Sequence, residues 1–108
     1  MTTCLFCKII NKEIPSEIVY EDNKVLVFKD INPKAPIHLL VVPKEHISSI
    51  KDAGSENIVS DLISRVKKIT KEKRIPGYKL VFNVGKEGGQ IVEHLHLHLL
   101  AGKPVELP

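Results

Sequence analysis

Three histidines at strict alternation, His94-Leu95-His96-Leu97-His98, constrain this chain more than any other feature. Side chains on a strand point to opposite faces in turn. An extended run over residues 92–100 therefore puts all three imidazoles on one face and Leu95, Leu97 and Leu99 on the other. Such a strand needs an apolar layer beneath its leucines. Alternate positions lie about 6.5–7 Å apart, so the three rings can serve one elongated site, metal-bound or catalytic. Imidazole suits either role, because an ordinary pKa of about 6.5 makes it a ligand, base or nucleophile near neutrality. The bland alternative is a half-exposed strand whose polar face happens to be histidine; three in register count against it.

The remaining sequence offers partners for that strand. Ile58, Val59, Leu62, Ile63, Val66 and Ile69 recur at helical spacing, with Asp61, Arg65, Lys68 and Glu72 opposite them. This predicts one long helix over 55–73, with Ser55 as its N-cap and Pro76-Gly77 closing it. Ile18-Val19-Tyr20 and Val25-Leu26-Val27-Phe28 flank the turn-forming Glu21-Asp22-Asn23-Lys24 and read as a hairpin. His38-Leu39-Leu40-Val41-Val42, ended by Pro43, reads as a central strand, and residues 78–83 as another. Residues 5–10 suit a short helix or an extended arm, and Pro15 closes them. The class expected is α+β, an antiparallel sheet of about five strands with one long helix.

At 108 residues and 43% hydrophobic content the chain is the size of one domain, 1–108. The net charge of +3 and 5% aromatic content give little for nucleic acid to bind. Lys67, Lys68, Lys71, Lys73 and Arg74 read as a solvated helix face. No run approaches about 20 apolar residues, and the first residues lack a signal-peptide pattern, so no membrane association and a cytoplasmic location are expected. Cys4 and Cys7, the only cysteines, are spaced as a metal or redox pair in a reducing compartment.

Just before the histidines stands Asn83-Val84-Gly85-Lys86-Glu87-Gly88-Gly89-Gln90. Glycines of this kind let backbone N–H groups approach an anion, and Asn83 and Gln90 add neutral donors, which together suggest a phosphate site. With its hydrophobic spacers, the run from Asn83 to Leu100 resembles the signature of the histidine triad family. The resemblance extends to Phe6-Cys7-Lys8-Ile9-Ile10, Asp30-Ile31-Asn32, His38 and Pro43-Lys44-Glu45-His46-Ile47. It is nearest to the nucleotide-binding branch that acts as purine nucleoside phosphoramidases.

That resemblance implies a histidine-triad-like fold and a hydrolase that releases AMP or GMP from purine nucleoside 5′-phosphoramidates or related adenylates. His96 would be the nucleophile forming a nucleotidyl-histidine, with His98 on the phosphate and His38 in the same cluster. Asn83, Gln90 and the backbone near Gly89 would also hold the phosphate. Asp30 would take the ribose hydroxyls, and Phe6, Ile10, Phe28 and Ile31 would wall the purine. Ile91 occupies a phosphate-side position where better-known phosphoramidases carry a serine, so it cannot assist the leaving group through a hydroxyl. The resemblance to microbial members further implies a structural zinc on Cys4, Cys7, His46 and His94, no metal in the chemical step, and a homodimer. Two alternatives share these residues: a dinucleoside polyphosphate hydrolase, and a nucleotide-binding regulator or scaffold with incidental catalysis.

Overall fold

The computed structural model describes residues 3–52 and 54–103. Its elements are α1 (Leu5–Ile10), β1 (Ile18–Glu21), β2 (Val25–Lys29), β3 (Ile37–Pro43), α2 (Ser55–Glu72), β4 (Lys79–Val81) and β5 (Leu97–Ala101), with one 3-10 turn at Lys86–Gly88. The strands form one sheet in the order β1-β2-β3-β5-β4, every neighbouring pair antiparallel. The expected α+β class, the five strands and the long helix are present, and of the two readings open for residues 5–10 the short helix is the one formed.

β2 and β3 are central and buried on both faces, which is why Val25-Leu26-Val27-Phe28 and Leu39-Leu40-Val41-Val42 are continuous apolar runs. On one face Val25, Val27, Leu39, Val41, Leu97 and Leu99 pack beneath Leu62, Val66 and Ile69 of α2. On the other, Leu26, Phe28, Leu40 and Val42 pack against Phe6 and Ile9 of the far smaller α1. A six-residue helix covers only part of that second face. The uncovered part is where His38 of β3 and His98 of β5 lie.

Asp22 turns the β1–β2 hairpin by accepting from the backbone N–H of Lys24 and Val25, both at 2.8 Å. Arg65 of α2 donates to the same carboxylate at 2.7 Å and pins helix to hairpin. Burial alone would raise the Asp22 pKa, but the bonds from Arg65, Tyr20 and the backbone outweigh it and hold the carboxyl well below its usual range.

Several boundaries differ from the sequence expectation, and β4 covers only Lys79–Val81 of the expected 78–83. α2 is capped by Gly54 in the left-handed conformation (φ 81°), while the Ser55 hydroxyl donates back to the Ile50 carbonyl at 2.7 Å. The helix ends at Glu72, four residues ahead of Pro76, with Arg74 left-handed beyond it. β5 starts at Leu97 rather than near residue 92, because only Leu97–Ala101 find ladder partners on β3. His94 and His96 therefore precede the ladder, although Leu95 still packs with Leu97 and Leu99 and keeps the alternation of faces.

Candidate active site and metal centre

Register places the histidines. His98 pairs with Leu40 on β3 and with Val81 on β4, and His38 pairs with Leu100. His38 and His98 are thus diagonal neighbours on one face, a separation that long side chains bridge. His38 Nε2 lies 3.0 Å from His98 Nδ1. His96 follows on the same side, its ring centroid 5.0 Å from that of His98 and 5.0 Å edge-on from Phe6.

The hydrogen-bond partners fix each tautomer, since a carbonyl only accepts and a backbone N–H only donates. His96 Nδ1 is 2.7 Å from the His94 carbonyl, so it carries the proton and Nε2 holds the lone pair. His38 Nδ1 accepts from the Lys34 backbone N–H at 3.0 Å, so the proton of His38 sits on Nε2 and points at His98. His98 Nδ1 is consequently an acceptor, and its Nε2 carries a proton to donate. Burial pushes His38 and His96 below the ordinary imidazole pKa, and it takes His98 down to about 4 with help from the neighbouring His96 and His38. The cluster is neutral at pH 7, which a nucleophilic imidazole requires.

Asp30, Lys34, His38, Asn83, Ile91 and His98 line a cleft of about 510 Å³ on this face. His96 adjoins it and retains 8% exposure. Asp30 Oδ1 accepts from the Asn32 backbone N–H at 2.8 Å, and its Oδ2 lies 3.4 Å from His38 Nε2.

The remaining predicted residues sort themselves differently. Phe6 and Phe28 are 5% and 3% exposed, in edge contact at 5.5 Å with Ile10 packed beside them, a core layer adjoining His96. Ile31, expected on the purine wall, is 88% exposed beside Asp30. Ile91, 92% exposed, sits at the cleft mouth.

Gln90 and the glycine loop, expected at the phosphate, make their hydrogen bonds within the protein here. The Gln90 carboxamide donates to the carbonyls of Ser48 (2.6 Å) and Val92 (3.0 Å) and accepts from Gly85 N–H (2.9 Å). The backbone N–H groups of Gly88, Gly89 and Gln90 close onto carbonyls of Gly85 and Lys86, as a 3-10 turn demands. These amides build the loop. Gly89 is left-handed (φ 84°), and a Cβ there would meet the Asn83 carboxamide at 3.6 Å, so Asn83 packs against the loop and donates to the Gly88 carbonyl at 2.9 Å.

A second cluster gathers Cys4, Cys7, His46 and His94, whose ligand atoms all lie within 4.8 Å of one another. His94, fully buried, donates from Nε2 to the Pro43 carbonyl at 2.8 Å, which turns the lone pair of Nδ1 toward the thiols. That nitrogen is 3.4 Å from Cys4 Sγ, 3.6 Å from Cys7 Sγ and 3.2 Å from His46 Nδ1, and Cys7 Sγ is 3.3 Å from His46 Nδ1. Zn–S of about 2.3 Å and Zn–N of about 2.0–2.1 Å separate tetrahedral ligand atoms by about 3.3–3.8 Å, so the donor set fits zinc. Burial, with His46 and His96 adding to it, pushes the His94 pKa down to about 4, which keeps its ligating nitrogen deprotonated.

Sequence reasoning missed Lys34. Its contribution to His38 is a backbone N–H, invisible to residue identity; Pro33 and Pro36 around it are the only hint of a tightly folded loop.

An antiparallel α+β sheet with a histidine-lined cleft on one strand defines a class, and comparison with known proteins gives the family. Residues 3–105 match the family described as "Scavenger mRNA decapping enzyme C-term binding". A histidine triad protein from Clostridium difficile superposes with a TM-score of 0.94 at 47% identity, covering 100% of this chain and 97% of that one. A HIT family hydrolase from Legionella pneumophila gives a TM-score of 0.90 at 44% identity, with 98% of each chain covered. The purine nucleoside phosphoramidase of Escherichia coli is 42% identical over 105 residues, 94% of this chain and 88% of that protein. The chain belongs to the histidine triad family, and hydrolases are among its relatives.

Proposed function

We propose that the protein is a nucleotide-binding hydrolase that cleaves purine nucleoside 5′-phosphoramidates or related adenylates through a nucleotidyl-His96 intermediate. The observation that carries this is the bond from His96 Nδ1–H to the His94 carbonyl, which leaves the Nε2 lone pair for phosphorus. That lone pair forms an N–P bond as the bond from phosphorus to the leaving amine breaks. The electron pair goes to the amine nitrogen, which takes a proton from solvent at the open cleft mouth. Water then attacks phosphorus and gives up a proton to solvent as the N–P bond to His96 breaks and its electron pair returns to Nε2, and AMP or GMP is released. His98 Nε2–H and Asn83 stabilise charge that grows on the phosphate oxygens, and Asp30 at the cleft wall holds the ribose.

Zinc on Cys4, Cys7, His46 and His94 would be structural, because four protein ligands leave no open position. It would tie α1, and with it Phe6, to the segment bearing His96. One observation favours a second reading, hydrolysis of dinucleoside polyphosphates. Ile91 offers no hydroxyl at the leaving-group side, and a phosphate leaving group needs no proton to depart. Turnover of a fluorogenic adenosine phosphoramidate by wild type and His96→Ala tests the proposal. Release of AMP that disappears in the variant supports it, and equal rates in both would overturn it.

A further inference from the structure

Asp30, His38 and His98 place three ligand-type atoms within 4.8 Å of one another. A cation is a poor occupant. Binding through His38 Nε2 would move the imidazole proton to Nδ1, against the Lys34 N–H that now donates there at 3.0 Å. The same constraint gives the trio another use. His38 has one proton, it is held on Nε2, and two acceptors face it: the Asp30 carboxylate at 3.4 Å and His98 Nδ1 at 3.0 Å. The His38 side chain is 3% exposed and that of Asp30 18%, so solvent screens this contact weakly.

We infer that Asp30 is a positioning residue for nucleotidyl transfer, acting through His38 to keep His98 a donor toward phosphate, separately from any contact it makes with ribose. The inference deepens the function proposed above and rests on it.

An anionic carboxylate can only accept, so it stabilises the proton on His38 Nε2. That proton occupies His98 Nδ1 as an acceptor, which leaves the His98 proton on Nε2. An asparagine at position 30 is isosteric but neutral and can turn an N–H toward His38. The Lys34 N–H still favours the Nε2 proton of His38 in that variant, so the preference is weakened rather than removed, and a fraction of His98 takes the opposite tautomer and presents a lone pair to the phosphate oxygens. The cost falls on the charge-separated state more than on the bound substrate, so it appears in kcat rather than in KM. Asp30 also favours the protonated forms of His38 and His98 electrostatically, which acts in the same direction.

The test compares wild type and Asp30→Asn on adenosine 5′-phosphoramidate and on its 2′,3′-dideoxy analogue, which has no ribose hydroxyls for residue 30 to hold. The expected result is a fall in kcat of about three- to tenfold, the size of a weakly screened charge contact rather than of a direct hydrogen bond, by a similar factor on both substrates. A variant that processes the dideoxy analogue at the wild-type rate would overturn the inference, because Asp30 would then act through ribose alone. Nitrogen-15 NMR of the imidazoles reads the same effect without turnover: His98 protonated on Nε2 in wild type, and a mixture of tautomers in Asp30→Asn. If wild type turned over neither substrate, the hydrolase reading would fail, and unchanged His38 and His98 tautomers in the variant would then overturn this inference on separate grounds.

Discussion

Removing the proposed zinc from the Cys4–Cys7–His46–His94 cluster is expected to lower stability by an amount set by how far the metal exceeds its dissociation constant. The four ligand atoms already lie within 4.8 Å of one another, and the lone pair of His94 Nδ1 is aimed by the Pro43 carbonyl, so the site is largely preformed. Zinc at a hundred times its dissociation constant adds about 2.7 kcal/mol to the folded state. At about 4 °C per kcal/mol for a chain of this size, the melting temperature falls on the order of 10 °C when the metal is chelated. Cys7→Ser is the informative variant. Cys4 also caps α1, with Cys7 N–H at 3.4 Å from its sulfur, so replacing Cys4 confounds two effects. Tag-free protein is to be assayed for metal content and melted with and without chelator. Wild type should carry about one zinc per chain and lose stability on chelation, and Cys7→Ser should show a much smaller difference. A metal-free wild type, or the same chelator effect in both proteins, would refute the reasoning.

Three other outcomes are expected. Ile91→Ser, which adds a hydroxyl at the exposed cleft mouth, should raise phosphoramidate turnover by about tenfold, the worth of one hydrogen bond, and no gain would count against a leaving-group role there. His98 has a folded pKa of about 4 against an ordinary 6.5, so between these values the unfolded chain binds the extra proton; stability is full above about pH 6.5 and drains as pH falls toward 4. Urea midpoints at pH 7 and pH 5 check the sign, and a higher midpoint at pH 5 would contradict it. Leu80 on edge strand β4 and Tyr78 just before it are 36% and 40% exposed, and a homodimer covering that edge should appear in sedimentation equilibrium, where a monomer at every concentration would exclude it.

Much of the architecture was legible because burial pattern and period agree. The apolar stripe of α2, the Asp22 turn between two β-prone runs, and the continuous Leu39-Leu40-Val41-Val42 run each have one reading as local structure. What escaped was set by partners distant in sequence. β5 starts at Leu97 because β3 and β4 offer no ladder partner earlier, which no pattern within residues 92–100 encodes. Gln90 has the chemistry of a phosphate donor, but Ser48, 42 residues away, takes one of its donor bonds. In the Cys4–Cys7–His46–His94 cluster, spacing announces the two cysteines, while His46 and His94 enter through the family resemblance and not through any local pattern; the fold brings them to the thiols across 39 residues from Cys7 and 90 from Cys4. The atoms that set the tautomers, the His94 and Pro43 carbonyls and the Lys34 amide, belong to the backbone and carry no sequence signal.

The central claim is that His96 Nε2 bonds to phosphorus, and the most direct test is to trap that bond. Wild type mixed with adenosine phosphoramidate, quenched in alkali within one turnover and digested, should yield a peptide containing His96 heavier by one adenylyl group, absent from His96→Ala. Adenylyl label on another residue, or turnover with no labelled peptide at any quench time, would contradict the account.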